Sequence, residues 1–220
     1  MTLYSYFRSS TSYRLRIALN FKNLAYEQVN INLVDAEQRS ENYLCINAQG
    51  LVPSLKDGTF TLTQSLAIID YLEEKYPTLP SLYPKAPELR AFTRQISHII
   101  SNDIHPINNL RVLKYIKDEF GISDQQKLQW YQGWIHKGFQ AIESILKQSP
   151  YFTDTYCCGD TITLADICLI PQVYNARRFN CPLEDFPLIS KIEQLCLQHD
   201  AFDKARPEKQ PDTPDALRMV

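Results

Sequence analysis

The chain changes character once, at Thr78-Leu79-Pro80-Ser81-Leu82-Tyr83-Pro84, and that change limits what it can fold into. Before this proline-rich connection, short apolar runs alternate with helix-like stretches; after it, only long helical patterns occur. Leu3-Tyr4-Ser5-Tyr6-Phe7 reads as a strand. Tyr13, Ile17 and Phe21, with Leu15 and Leu19 beside them, have helical spacing. Ala25-Tyr26-Glu27-Gln28-Val29-Asn30-Ile31 alternates as a strand does, and residues 35–45 hold a short helix. Leu51-Val52-Pro53-Ser54-Leu55 is a second apolar run, interrupted by a proline that cannot donate to a sheet ladder and belongs at a strand start or edge. Lys56-Asp57-Gly58-Thr59 supplies an Asp-Gly turn into Phe60-Thr61-Leu62. Gln64-Ser65 then opens a helix with Leu66, Ile69, Leu72 and Tyr76 on one face, ended by Pro77. The order strand–helix–strand–helix–strand–strand–helix defines an α/β unit over residues 1–80.

Residues 86–220 read as all-helical. A stripe of Leu89, Phe92, Ile96, Ile99 and Ile100 continues through Ile107 and Leu110, with Pro106 inside it predicting a kink. A second helix is expected over residues 125–146 with Trp130, Trp134, Phe139 and Ile142 inward. Thr163-Leu164-Ala165-Asp166 has capping-box spacing before an apolar helix that contains Pro171. Residues 206–214 form an irregular, proline-rich tail.

Composition excludes several classes. A net charge of −2 gives no nucleic-acid surface and no polybasic membrane patch. No apolar run approaches bilayer-spanning length, and the N-terminus enters strand-like sequence without a signal-peptide pattern, so a cytoplasmic protein is expected. The six cysteines show no C-x-x-C pair and no metal-like spacing with the four histidines. They read as reduced structural residues, and no metal is expected.

Ser9 to Ser12 lie where the first strand turns into the first helix. Backbone N–H groups without partners and the positive end of the helix dipole meet there, which suits an anion. Serine and threonine are favoured at that position as plain caps too, so the residues alone leave both readings open. Arg8-Ser9-Ser10-Thr11-Ser12-Tyr13-Arg14-Leu15-Arg16-Ile17-Ala18-Leu19 resembles the S-S-C-x-W-R-V-R-I-A-L signature of zeta-class glutathione transferases, with Thr11 where the family has Cys and Tyr13 where it often has Trp. Val52-Pro53 resembles that family's cis-proline ligand loop. The resemblance extends to residues 103–113, 171–179 and Glu208-Lys209-Gln210-Pro211-Asp212. It implies a thioredoxin-like α/β N-terminal domain plus an all-α C-terminal domain, the cytosolic glutathione transferase fold. It also implies a homodimer joining the thioredoxin-like domain of one chain to the helical domain of the other.

The implied activity is glutathione-dependent cis–trans isomerisation of maleyl diacids, maleylacetoacetate or maleylpyruvate, with glutathione as cofactor. By the same resemblance Ser9 donates its hydroxyl to the thiolate, with Ser10 and Thr11 adjoining. Val52, before Pro53, pairs with the cysteinyl backbone, and Gln64 and Ser65 receive the γ-glutamyl end. His105 and Asn109 add contacts to the cofactor. Arg8, Arg111 and Arg177 bind the substrate's carboxylates, Arg8 also acting in catalysis, because guanidinium forks match carboxylates and stay charged. Taken singly, each arginine reads more readily as a solvated surface charge than as a ligand, and His105 reads equally as a structural hydrogen-bonder. Spacing places Ile104, Asn108 and Arg111 on one helical face. Two other functions stay open: a transferase conjugating or dehalogenating small α-halo acids, and a scaffold that kept the fold without the chemistry.

Overall fold

The computed structural model describes residues 1–219, which form two compact units: residues 1–81 with 198–220, and residues 82–197. In the first, β1 (Thr2–Ser5), α1 (Ser10–Phe21), β2 (Glu27–Asn30), α2 (Glu41–Leu44), β3 (Ser54–Asp57), β4 (Phe60–Thr63) and α3 (Ser65–Lys75) follow one another. The sheet order is β2-β1-β3-β4, with β1 and β2 parallel and the other pairs antiparallel. The α/β order expected of this region is what forms.

Register decides where the chemistry gathers. Tyr4 pairs with Ser54, and Ser54 pairs with Thr63. The residues that follow Tyr4, precede Ser54 and follow Thr63 therefore leave the sheet at the same end. These are the turn through Arg8 and Ser9, the Val52-Pro53 loop, and Gln64-Ser65.

α1 forms where the helical spacing of Tyr13, Ile17 and Phe21 placed a helix, and Tyr13, Arg14, Leu15, Arg16, Ile17, Ala18 and Leu19 are all buried. The reason is a helix on its far side. α9 (Asp200–Ala205), from the end of the chain, packs along α1, and α3 packs against α1 as well, so α1 is covered by α3 and α9 together. Arg16 is fully buried. Its guanidinium donates to the carbonyls of Ala205 at 3.0 Å, Phe7 at 2.9 Å and Tyr6 at 3.4 Å, and to Ser5 Oγ at 3.1 Å. Residues 198–220 thus group with the first unit, whereas the sequence pattern placed them in the helical region. Nor is the tail loose: Gln210 Nε2 donates to the carbonyls of Lys204 and Arg206, and the Thr213 hydroxyl to that of Pro207.

The second unit holds α4 (Pro87–His98), α5 (Leu110–Phe120), α6 (Asp124–Gln148), α7 (Leu164–Arg178) and α8 (Pro187–Leu197). The single kinked helix expected through Pro106 is two helices. α4 loosens into a π-helical turn over Ile99–Ile104, a 3-10 turn follows over Pro106–Asn108, and Asn109 caps α5 by accepting from the Arg111 N–H. Pro106 lacks an N–H to continue the helix, and an asparagine is well suited to restart one. Arg111 therefore lies on α5, and the common helical face assigned to Ile104, Asn108 and Arg111 does not exist.

In α6 the buried face is Tyr131, Ile135, Phe139, Ile142 and Leu146, one residue on from the expected tryptophans. Trp130 and Trp134 are each 37% exposed, and Trp130 Nε1 donates to the Ile107 carbonyl. Gly138 sits on that helix because a Cβ there would fall 2.2 Å from Ile104 Cδ1. The Thr163–Asp166 capping box forms, with Asp166 accepting from the Thr163 N–H and hydroxyl, and α7 runs unbroken through Pro171.

Candidate active site

The turn at Ser9 is built from hydroxyls. Ser9 is the N-cap of α1, its Oγ accepting from the Ser12 N–H at 3.2 Å. Ser9 Oγ also lies 2.9 Å from Thr11 Oγ1, and the Thr11 hydroxyl donates to the Val52 carbonyl at 2.9 Å. A threonine has one hydroxyl proton, so with that proton on Val52 it is Ser9 that donates to Thr11. Both readings of the serine cluster therefore hold for one residue. Ser9 caps the helix with its oxygen lone pairs while its proton stays movable, one rotation away from a new acceptor. Thr11 ties the start of α1 to the loop before Pro53, a bond that a cysteine thiol makes weakly.

That loop is held from beneath. The Val52-Pro53 peptide is cis. The Leu51 carbonyl accepts from Tyr43 Oη at 2.7 Å and Asn47 Nδ2 at 2.7 Å, and Tyr43 Oη lies 3.0 Å from Ser54 Oγ. Tyr6, Phe7, Ile31, Tyr43 and Val52 form one apolar cluster under the turn. Burial pushes the Tyr43 phenol above its ordinary value, so it stays a neutral donor. Sequence reasoning singled out neither Tyr43 nor Asn47. Tyr43 lies in the polar segment read as a short helix, and Asn47 just beyond it, where no motif marks either.

Whether these residues fit glutathione is tested by what they leave open. Val52 is buried, its carbonyl is taken by Thr11, and its N–H enters no hydrogen bond among the described residues. A buried backbone donor without a partner is costly, and a peptide ligand running alongside would satisfy it. At α3 the N-cap is Gln64, in the left-handed half of backbone space at φ 71°, with no side-chain cap bond. The first-turn amides of α3 are thus uncapped beside Ser65, as a ligand carboxylate requires. Gln64 Nε2 donates to Gln49 Oε1 at 2.7 Å. An open backbone donor in the loop and an uncapped helix start are the groups that a peptide backbone and a carboxylate of glutathione would need.

Arg8 is half-buried, its guanidinium 5.0 Å from the centre of the Phe7 ring, and it makes no ion pair among the described residues. It lines a cavity of about 380 Å³ with Asn30, Asn32, Glu37, Asp212 and Leu217, all within the first unit. Ser10 is buried in the first turn of α1.

The remaining candidates belong to the helical unit. His105 follows the π-helical turn, Asn109 spends its side-chain oxygen on the α5 cap, and Arg111 is exposed one residue into that helix. Arg177, near the end of α7, grips Glu193 with two nitrogens: Nε lies at 2.9 and 3.0 Å from the two carboxylate oxygens and Nη2 at 2.5 Å from one. Among the described residues no group of three His, Cys, Asp or Glu side chains is placed to hold a metal ion, and no helix is long and apolar enough to cross a membrane.

Family models for the glutathione S-transferase N-terminal domain match residues 1–74, and those for its C-terminal domain match residues 112–200. The maleylpyruvate isomerase of a Ralstonia species is 44% identical over 97% of this chain and 100% of its own. The zeta-class glutathione S-transferase of Euphorbia esula is 42% identical over 97% of this chain and 92% of its own. The chain belongs to the zeta-class glutathione transferase family. Mouse maleylacetoacetate isomerase is 44% identical over 98% of this chain and 96% of its own. Among solved structures, the holo form of a bacterial zeta-class maleylpyruvate isomerase aligns with a TM-score of 0.94 at 44% identity, over 97% of this chain and 100% of that one. A maleylacetoacetate isomerase from Methylobacterium extorquens AM1, with malonate and glutathione bound, aligns with a TM-score of 0.94 at 34% identity, again over 97% and 100%.

Proposed function

We propose that this zeta-class chain is a glutathione-dependent cis–trans isomerase of maleyl diacids, acting on maleylacetoacetate or maleylpyruvate. The observation that carries the choice of substrate is Arg8. A half-buried cation with no carboxylate partner among the described residues lines a cavity one residue from Ser9. Its two acidic neighbours in that cavity, Glu37 and Asp212, accept the backbone N–H groups of Asn32 and Phe7, which leaves Arg8 as the group that can meet a substrate carboxylate.

Bound glutathione supplies a thiolate nucleophile that adds reversibly to the cis double bond, which lets that bond rotate. The chain's own groups do the rest. Ser9 turns its hydroxyl proton from Thr11 to the sulfur and, with the positive end of α1, favours thiolate over thiol. The Val52 N–H and the first turn of α3 fix the tripeptide. Arg8 holds a substrate carboxylate and stabilises negative charge as it develops on the adjoining carbonyl system, an electrostatic contribution of the oxyanion-hole type. Arg111 is exposed and available to a second carboxylate. Arg177 shares its charge with Glu193, so its contribution is the smallest of the three. The reading also carries a cytoplasmic homodimer. Light scattering at micromolar concentration tests the dimer, and a particle near the 25.5 kDa of one chain would refute it.

Loss of substrate absorbance, followed for each maleyl compound with and without glutathione, is the primary test. Turnover that needs glutathione without consuming it supports the isomerase. Stoichiometric consumption with an α-halo acid, and none of the isomerisation, would put the conjugating transferase in its place. Arg8→Met should raise the KM for the diacid roughly tenfold or more, as loss of a charge-assisted hydrogen bond does. Arg177→Met should cost less.

A further inference from the structure

Asp212 lies in the chain's last segment, 205 residues from Phe7, and its Oδ2 accepts the Phe7 backbone N–H at 2.8 Å. Phe7 is the residue on which Arg8 rests. Its N–H is taken by Asp212, its carbonyl accepts Arg16 Nη2 at 2.9 Å, and its ring carries the Arg8 guanidinium. From these contacts we infer that Asp212 is a positioning residue for the isomerisation: it fixes the Tyr6-Phe7 peptide, and with it the Phe7 ring that carries the Arg8 guanidinium, so that Arg8 faces the diacid. The inference rests on the reading of Arg8 as the carboxylate-binding group.

Several observations show that the tail is built to present this carboxylate. Gln210 and Thr213, on either side of Asp212, are buried, and both spend their side chains on tail carbonyls. Arg218 donates to the carbonyls of Thr213 at 2.9 Å and Pro211 at 3.0 Å. Upstream, Arg16 binds the Ala205 carbonyl with the same guanidinium that holds Tyr6 and Phe7. The turn is therefore clamped from α1 through Arg16 and from the tail through Asp212. Asp212, Pro214 and Leu217 also wall the cavity that Arg8 lines, so the segment that orients the cation shapes the space in front of it. Simple fastening of the chain end needs no carboxylate at this position, because Gln210, Thr213 and Arg218 already provide it. A carboxylate on a single backbone N–H, beside an arginine it does not pair with, makes sense as a device for aiming that arginine. Small errors in placing a catalytic group are expensive, which is why such a device is worth keeping.

The test is a steady-state comparison of Asp212→Ala, Asp212→Asn, Arg8→Met and the Asp212→Ala/Arg8→Met double variant, with a maleyl diacid and with a neutral electrophile conjugated by the same thiolate. Asp212→Ala should raise the diacid KM roughly tenfold while leaving the neutral reaction and the glutathione KM within about twofold, the size of effect one lost oriented contact gives. Asp212→Asn retains an acceptor oxygen and should recover most of the loss. The double variant should be no worse than Arg8→Met alone, because residues acting through one another are not additive. If Arg8→Met is selective for the diacid and Asp212→Ala is not, the positioning role is overturned and the reading of Arg8 stands. If Arg8→Met is itself unselective, both fall. Equal damage from Asp212→Asn and Asp212→Ala would also overturn the role assigned to the hydrogen bond. Should Asp212→Ala fail to fold, Asp212→Glu carries the same comparison, since it keeps the charge and displaces it by one methylene.

Discussion

Two helices of the first unit start at the same end of its sheet, and they are finished differently. α1 begins with a conventional cap, Ser9 accepting from the Ser12 N–H, and its hydroxyls are linked onward through Thr11 to Val52. α3 begins on Gln64, at φ 71° and without a side-chain cap. The first is a closed arrangement whose remaining freedom is one proton. The second is an open arrangement, held at an energetic cost, whose first-turn amides wait for a partner. The difference separates two tasks that helix N-termini are usually credited with together. On the proposed reading, the α1 start acts on the sulfur through a hydroxyl, and the α3 start holds an anionic end of the ligand through its backbone. One would then serve rate and the other affinity.

The largest expected effect comes from breaking the closed end. Ser9→Ala should lower kcat roughly a hundredfold or more, as loss of one oriented donor to developing or resting negative charge does. The glutathione KM should move little, because Val52 and α3 remain. The lost cap also costs about 1 kcal/mol of stability, which a thermal melt reads separately from the kinetics. Near-normal turnover in Ser9→Ala, with turnover abolished in Ser10→Ala or Thr11→Ala, would shift the role along the turn and dissolve the contrast between the two helix starts.

A smaller effect, with two opposite signs, is expected at the open end. A non-glycine residue in a sparsely populated region costs about 1–3 kcal/mol. Glycine at position 64 removes that strain and loses roughly 0.5–1 kcal/mol to chain entropy. Gln64→Gly should therefore melt no lower than the parent. It should still bind glutathione about tenfold more weakly, since it gives up a polar side chain beside the bound anion. Isothermal titration and a melt on the same sample decide it. A variant that loses stability and keeps affinity would mean that Gln64 serves the fold.

How much of this was readable in advance follows the range of the interactions. Local signals placed the Val52-Pro53 loop at a strand edge and the Ser9 turn where strand and helix periods meet, but only the family resemblance turned a plain proline into a ligand loop and a plain cap into an anion site. The α6 face was half misread: Phe139 and Ile142 are inward as expected, and Trp130 and Trp134 are not. Residues 130, 134 and 131, 135 have the same four-residue spacing, and the larger tryptophans were assigned to the core although tyrosine and isoleucine fill it. A long stripe through Pro106 concealed two helices, because Ile107 and Leu110 continue the apolar period after the backbone has left it. The contacts of Asp212 and Arg16 had no local signal at all. Each joins the first turn to the chain end, across nearly the whole sequence, and only the fold brings them within reach of each other.

The smallest expected effect concerns the protein's own thiols, and it tests whether the nucleophile really comes from the ligand bound at these two helix ends. All six cysteines are free; Cys45 is exposed and the other five are buried. Burial pushes the Cys158 thiol up to about 12 and that of Cys181 to about 11, and raises Cys157 and Cys196 as well. Thiolate is the reactive form, and at a pH near 8 each of these lies well below its pKa, so almost none is ionised. A thiol reagent added to the native protein should therefore titrate one group promptly, Cys45, and all six only after denaturation. Cys45 immediately follows α2, whose Tyr43 holds the loop before Val52, but its own side chain enters no contact on which the turn depends. Cys45→Ser should abolish the prompt labelling and leave glutathione-dependent turnover within about twofold of the parent, as surface substitutions away from such features usually do. A loss of turnover in Cys45→Ser, or in native protein alkylated before glutathione is added, would make a protein thiol part of the reaction. The division of labour between α1 and α3 would then no longer account for it.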